Sequence, residues 1–178
     1  MIESQNHYYS QIIQRLESMK FRIQSGVTYE KYTFDYLARK KAYHATAFGF
    51  GWTCFIFCQF GNVDVATLRD YAETCFKYSL KNRLIPLPWG LLHGVYCYAA
   101  VVTRGVQSDV ADMVRNTQPP IRWSGYVIPV ICDLANGDLH YWRNEVDRDW
   151  LDAFPKEMTN LMWLYVRETI ERVLSPGE

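Results

Sequence analysis

From Ala42 to Val63 (AYHATAFGFGWTCFIFCQFGNV) the chain runs for 22 residues without Asp, Glu, Lys or Arg. Such a run is either a membrane-spanning helix, which needs about 20 predominantly apolar residues, or a buried strand with a two-residue period. Its composition decides between them. Spanning segments are built from Leu, Ile, Val, Phe and Ala. This run holds His44, Gln59, Thr46, Thr53 and three glycines, and Ile56 and Val63 are its only aliphatic residues larger than Ala. Even positions are bulky from Phe48 onward (Phe50, Trp52, Cys54, Ile56, Cys58, Phe60), whereas Ala45, Ala47, Gly49 and Gly51 make the odd face small. That period and the aromatic enrichment predict a strand, either one long bent strand or a tight hairpin around Gly49–Gly51, because glycine inside a strand marks a bend or a close neighbour. The reading is therefore of a chain with no membrane span.

At 178 residues the chain is read as one domain with a core of its own. Ser4 is placed as the cap of a first helix with Tyr9, Ile12, Ile13, Leu16, Met19 and Ile23 on one stripe, ended by Ser25–Gly26. Thr28 is placed as the cap of a second helix through Tyr32, Tyr36 and Leu37 that closes at Arg39-Lys40-Lys41. Asp64 caps a helix to about Lys81. After Pro86 and Pro88, a buried strand is expected from Leu91 to Thr103, and Ser108 caps a short helix. Pro119 and Pro120 break that helix, and a cis bond is open there. From Ile121 the pattern becomes a hairpin with its turn at Asn136–Gly137, and Pro129 places the first strand at an edge or a bulge. A last helix covers 154–174. The expected order is α-α-β-α-β-α-β-β-α, an α+β domain over 1–178 with N-terminal helices in 1–41, a sheet core in 42–143 of four to five strands, antiparallel or mixed, and a C-terminal helix.

Charge excludes some functions. Basic and acidic residues balance at 19 each, so no overall field attracts nucleic acid. The distribution is uneven: residues 1–42 carry seven basic against four acidic groups, and residues 142–178 five against eight. An acidic C-terminal docking surface is one consequence. The basic and aromatic residues interleaved from Tyr29 to Tyr43 are read as an amphipathic helix face rather than a nucleic-acid platform. The first residues, MIESQNHYYSQ, have neither the basic nor the apolar region of a secretory signal, and five cysteines form no compact disulfide pattern, so a cytoplasmic protein with reduced, buried thiols is expected.

No motif fixes a reaction. Cys54 and Cys58 would share an ion on a helix, but on a strand they lie about 13 Å apart, too far for one zinc. His93 and Cys97 share strand parity without touching, and a neighbouring-strand pair such as His44 with Cys97 is the alternative. Asp133, Asp138 and His140 flank the Asn136–Gly137 turn, and carboxylates beside a histidine can hold Mg²⁺ or Mn²⁺. Their spacing matches no metal motif, and Asp is common beside turns for backbone hydrogen bonding, so no metal and no cofactor are expected. Beside the small face of the long strand, His44, Gly49, Gly51, Trp89, His93 and Cys97 mark a candidate pocket. The leading functional expectation is a non-enzymatic interaction or assembly module, homodimeric and with a protein partner. The alternative is a small-molecule-binding protein or hydrolase-type enzyme using the pocket near His44, His93 and Cys97 or the Asp133–His140 cluster.

Overall fold

The computed structural model describes residues 2–44, 49–82, 94–122, 125–144 and 156–175. The first element, α1 (Ile2–Ser18), ends earlier than its apolar stripe suggests. The Phe21 N–H donates to the Leu16 carbonyl and the Lys20 N–H to the Glu17 carbonyl, with Lys20 at φ 63. This is a Schellman ending, in which a left-handed residue turns the chain out of the helix. Phe21 then packs with Leu16 in the same core cluster, and Ile23 belongs to the next strand.

The expected second helix is instead a hairpin. Strands β1 (Arg22–Tyr29) and β2 (Tyr32–His44) pair antiparallel, joined by Glu30–Lys31, with Glu30 at φ 52. Tyr32, Tyr36 and Leu37 satisfy helical spacing. However, the segment is dense in Val, Thr, Tyr and Phe, which favour a pleated surface, and a sheet partner overrides a weak helical pattern. Both strands change face midway. Val27 and Phe34 pack toward one side of the sheet, and Ile23 and Ala38 toward the other. The change falls where Gly26 (φ +65) stands opposite Asp35, a conformation that glycine adopts without a Cβ clash.

The charge-free run splits in two. Its first residues complete β2, and β3 (Gly49–Gln59) pairs antiparallel with β2 from His44↔Gly49 to Tyr36↔Phe57. The run is thus neither one long strand nor a hairpin turning at Gly49–Gly51: β3 continues through both glycines and its partner is β2. Ala45 and Ala47 lie outside the described residues. From Trp52 the even positions of β3 face one helix layer, and Phe55 and Phe57 face the other.

Helix α2 (Val65–Lys81) follows as expected, with the Asp64 side chain accepting from the Thr67 N–H at 2.6 Å. It crosses to β4 (Val95–Thr103), which is parallel to β3 and buried at every residue. Helix α3 (Ser108–Asn116) starts after Gln107, with no side-chain cap, so Ser108 is its first residue rather than its cap. The two-residue β5 (Ile121–Arg122), β6 (Gly125–Asp133) and β7 (Asp138–His140) complete a seven-stranded mixed sheet. β6 is parallel to β4, while β5 and β7 pair antiparallel with opposite ends of its other edge. Pro129, which has no N–H to give, falls in the stretch of that edge between them, as edge placement requires. The peptide bonds at Pro119 and Pro120 are trans. Helix α4 (Lys156–Leu174) closes the chain.

The order is thus α-β-β-β-α-β-α-β-β-β-α, with three more strands and one fewer N-terminal helix than the expected order. The sheet is sandwiched. Residues of α1 and α4 cover Phe55, Tyr98 and Val130 on one face, and residues of α2 and α3 cover Ile56, Cys97 and Ile131 on the other. Phe55 and Tyr98 stack across the β3–β4 seam with centroids 4.4 Å apart. The Tyr71 hydroxyl on α2 donates to the Ile56 carbonyl at 2.9 Å, tying that helix to the sheet. Among the described residues, no helix is long and apolar enough to cross a membrane.

Candidate functional site

The described residues cover the sequence-derived pocket only in part. His44 pairs with Gly49, whereas Cys97 pairs with Cys54, five residues further along β3. At strand rise this separates them by about 16 Å, so His44 and Cys97 form no pair. Gly51 is buried opposite Ala42. Trp89 and His93 lie outside the described residues. Cys97 is fully buried beneath α2, where the Ser79 hydroxyl lies 3.5 Å from its sulfur. Burial pushes its thiol well above the ordinary range, the opposite of what a nucleophilic thiolate requires. The Cys54 and Cys58 thiols are each pushed up to about 11, also mainly by burial.

Asp133, Asp138 and His140 do share one face of the β6–β7 hairpin, because Asp133 pairs with Asp138 and Ile131 with His140. Asp133 is nevertheless committed to the turn. It is 1% exposed, with Oδ1 accepting from the Ala135 N–H at 2.9 Å and Oδ2 from Asn136 Nδ2 at 2.8 Å. This is the turn-stabilising role that Asp takes beside Asn-Gly. His140 is 4% exposed, and neither ring nitrogen has a hydrogen-bond partner. Its pKa lies below the usual imidazole value, first through burial and then through Arg115, against the pull of Asp138 and Asp133. Among the described residues, no three His, Cys, Asp or Glu side chains are placed to hold a metal ion.

A polar group that sequence reasoning missed lies where α1 meets the carboxyl ends of β3 and β4. The Asp35 carboxylate accepts the Gln59 N–H at 2.7 Å and the Tyr9 hydroxyl at 3.0 Å, prolonging the β2–β3 ladder with a side chain. The Gln5 carbonyl oxygen accepts from Arg104 at 2.9 Å and Gln59 Nε2 at 3.4 Å. A carboxylate, two amides, a phenol and a guanidinium therefore gather there from four elements or their ends. The lone acid of β2, Asp35 amid aromatic and basic residues, was the available signal. Its partners are too distant in sequence to be inferred.

Among the described residues, the exposed large apolar side chains belong to α4. Leu161, Leu164 and Tyr165 are 56%, 50% and 41% exposed, whereas Met162, Trp163 and Val166 are buried against the sheet. The spacing i, i+3, i+4 makes them one face. Glu168 and Arg172 follow at the next turns and are also exposed. The helix is thus apolar on two sides, and an ordinary amphipathic helix needs only one. No protein family, curated protein or solved structure shows a significant match to this chain.

Proposed function

We propose that this protein is a non-enzymatic assembly module of the cytoplasm that self-associates, with a homodimer as its smallest form. The observation that carries the reading is the second apolar face of α4, at Leu161, Leu164 and Tyr165. Large side chains left in water on one regular face are the mark of an interface. Cys97, Asp133 and His140 add support, because they are buried rather than open to a cleft. Light scattering at two concentrations tests the reading. The mass should rise toward twice that of one chain in the high-micromolar range, and the double variant L161E/L164E should remain monomeric with its far-UV spectrum unchanged. A wild-type monomer at high-micromolar concentration rejects the proposal.

A second reading, a small-molecule-binding protein, draws on the polar group at Gln5, Asp35, Gln59 and Arg104. A ligand held there would raise the melting temperature, and Asp35→Asn would reduce that rise. A metabolite screen with no shift removes this reading.

A further inference from the structure

Arg22 and Arg39 stand directly opposite each other across β1 and β2. Residues paired in this way have Cβ atoms about 5 Å apart, and like charges there repel. Arg39 shares its strand face with Leu37, which packs under α2, so both guanidiniums lie on the α2 side of the sheet. Burial raises the Tyr78 hydroxyl and the Cys54 thiol, and Arg39 opposes it at both, which places its guanidinium beside the last turns of α2. Among the described residues the ion pairs are Lys31 with Asp70 and Arg115 with Asp112, and neither Arg22 nor Arg39 takes part in one.

Two further cations come from α2. The Tyr32 hydroxyl donates to Asp70 at 2.7 Å and Lys81 Nζ lies 5.5 Å from the Tyr29 ring centroid, so this flank of the helix looks onto the β1–β2 hairpin. Lys77, one turn before Lys81, is on the same flank. Arg22, Lys77 and Lys81 are exposed, and Arg39 is half-buried. Asp70, the acid of that flank, is held by Lys31 at 2.8 Å. The C-terminal dipole of α2 supplies about half a negative charge, which leaves most of the four positive charges uncompensated. The balance of 19 basic and 19 acidic residues over the whole chain does not neutralise one face.

We propose that Arg22, Arg39, Lys77 and Lys81 bind the phosphate groups of a small polyphosphorylated ligand. The opposed guanidiniums grip one phosphate from two strands, because the guanidinium fork matches phosphate oxygens bidentately. The two ammoniums act as point charges on the remaining phosphates. A single carboxylate would leave three of the four cations unmatched, so the site calls for a multivalent anion. The repulsion between Arg22 and Arg39 is relieved only when the anion is present. This site is independent of the self-association argued above.

Calorimetric titration at fixed ionic strength with tripolyphosphate, ATP and inositol trisphosphate tests it. Binding of tripolyphosphate shows that a phosphate chain suffices, binding of ATP alone assigns a nucleotide, and binding of inositol trisphosphate alone assigns a lipid headgroup. Binding of none overturns the proposal. Arg22→Glu and Lys77→Glu should each weaken binding about tenfold. Arg22→Glu should at the same time raise the melting temperature of the ligand-free protein, since it sets opposite charges across the strands. That pairing of tighter folding with weaker binding separates loss of the site from loss of the fold. Arg69→Glu changes the net charge equally on the flank of α2 that faces α3, and it should bind like wild type. Equal weakening by Arg69→Glu, or wild-type binding by Arg22→Glu, overturns the site.

Discussion

Lys20 holds the left-handed position that ends α1, with φ 63. In that region the Cβ of an L-residue crowds the following carbonyl, and glycine avoids the clash. Lys20→Gly should therefore raise unfolding stability by about 0.5–1 kcal/mol, seen as a higher urea midpoint with an unchanged slope. His140 makes the opposite kind of case. It is buried with neither ring nitrogen hydrogen-bonded, and its pKa is depressed below the ordinary value of 6.5. The unfolded chain then binds the proton more readily than the native one. Above about pH 6.5 both states are neutral at this residue and it imposes no pH dependence. As pH falls below that value stability is lost, until the native residue also protonates. His140→Leu should flatten this part of the stability–pH curve in chemical denaturation, and an unchanged slope would show that another group is responsible. At this scale the sequence was partly legible. Asp133, Asp138 and His140 were placed on one hairpin because Asn136–Gly137 announces its turn, with Gly137 at φ 69. The grouping of Gln5, Asp35 and Arg104 was not legible, since those residues are brought together only by the packing of α1 on the sheet.

Single elements depend on contacts made far along the chain. Arg15 on α1 donates to the Val173 carbonyl at 3.3 Å and to the Ser175 carbonyl, so one helix caps the C-terminal end of α4, where the helix dipole favours a cation. The Tyr8 hydroxyl adds a bond to the Leu174 carbonyl at 2.7 Å. Arg15→Ala should cost about 1–2 kcal/mol and expose the last turn of α4 to hydrogen exchange before the rest of the helix. Gly125 has a different dependence. A Cβ there would sit 2.1 Å from the Val95 carbonyl oxygen, and its φ of +146 is strained for other residues. Gly125→Ala should therefore force β4 and β6 apart at a cost of about 3 kcal/mol or more, read as a fall in melting temperature. Elements with strong local signals are legible in the sequence: α2 from its Asp64 cap, a hairpin from its Asn136–Gly137 turn, and the strand character of β3, though not its bounds, from alternation. The segment from Thr28 to Lys41 reads as a helix because Tyr32, Tyr36 and Leu37 fit both periods, yet it forms the end of β1 and most of β2. What selects the strand is the edge of β3 lying beside it, a non-local partner that spacing alone does not reveal.

For the molecule as a whole, the two helix layers enclose all five thiols. A thiol reagent should label the native protein at the rate of unfolding rather than of diffusion, because the thiolate forms only where water reaches it. All five should react together in denaturant, and fast labelling of any one in native buffer would contradict its burial. The cysteines stand where the strand reading of the run puts them: Cys54 and Cys58 are two pleats apart on β3, while Cys97 comes beside Cys54 from the neighbouring strand. The sequence by itself determined that this chain mixes helices with a buried sheet and that its charge-free run is strand rather than membrane span. Both follow from local periodicity and composition, which act over a few residues. The tertiary structure alone decided that β3, β4 and β6 run parallel, that Arg22–His44 extends the sheet, and that α4 carries an apolar face on its outer side. Those outcomes depend on which surfaces meet, and burial is a property of the assembled layers rather than of any one segment.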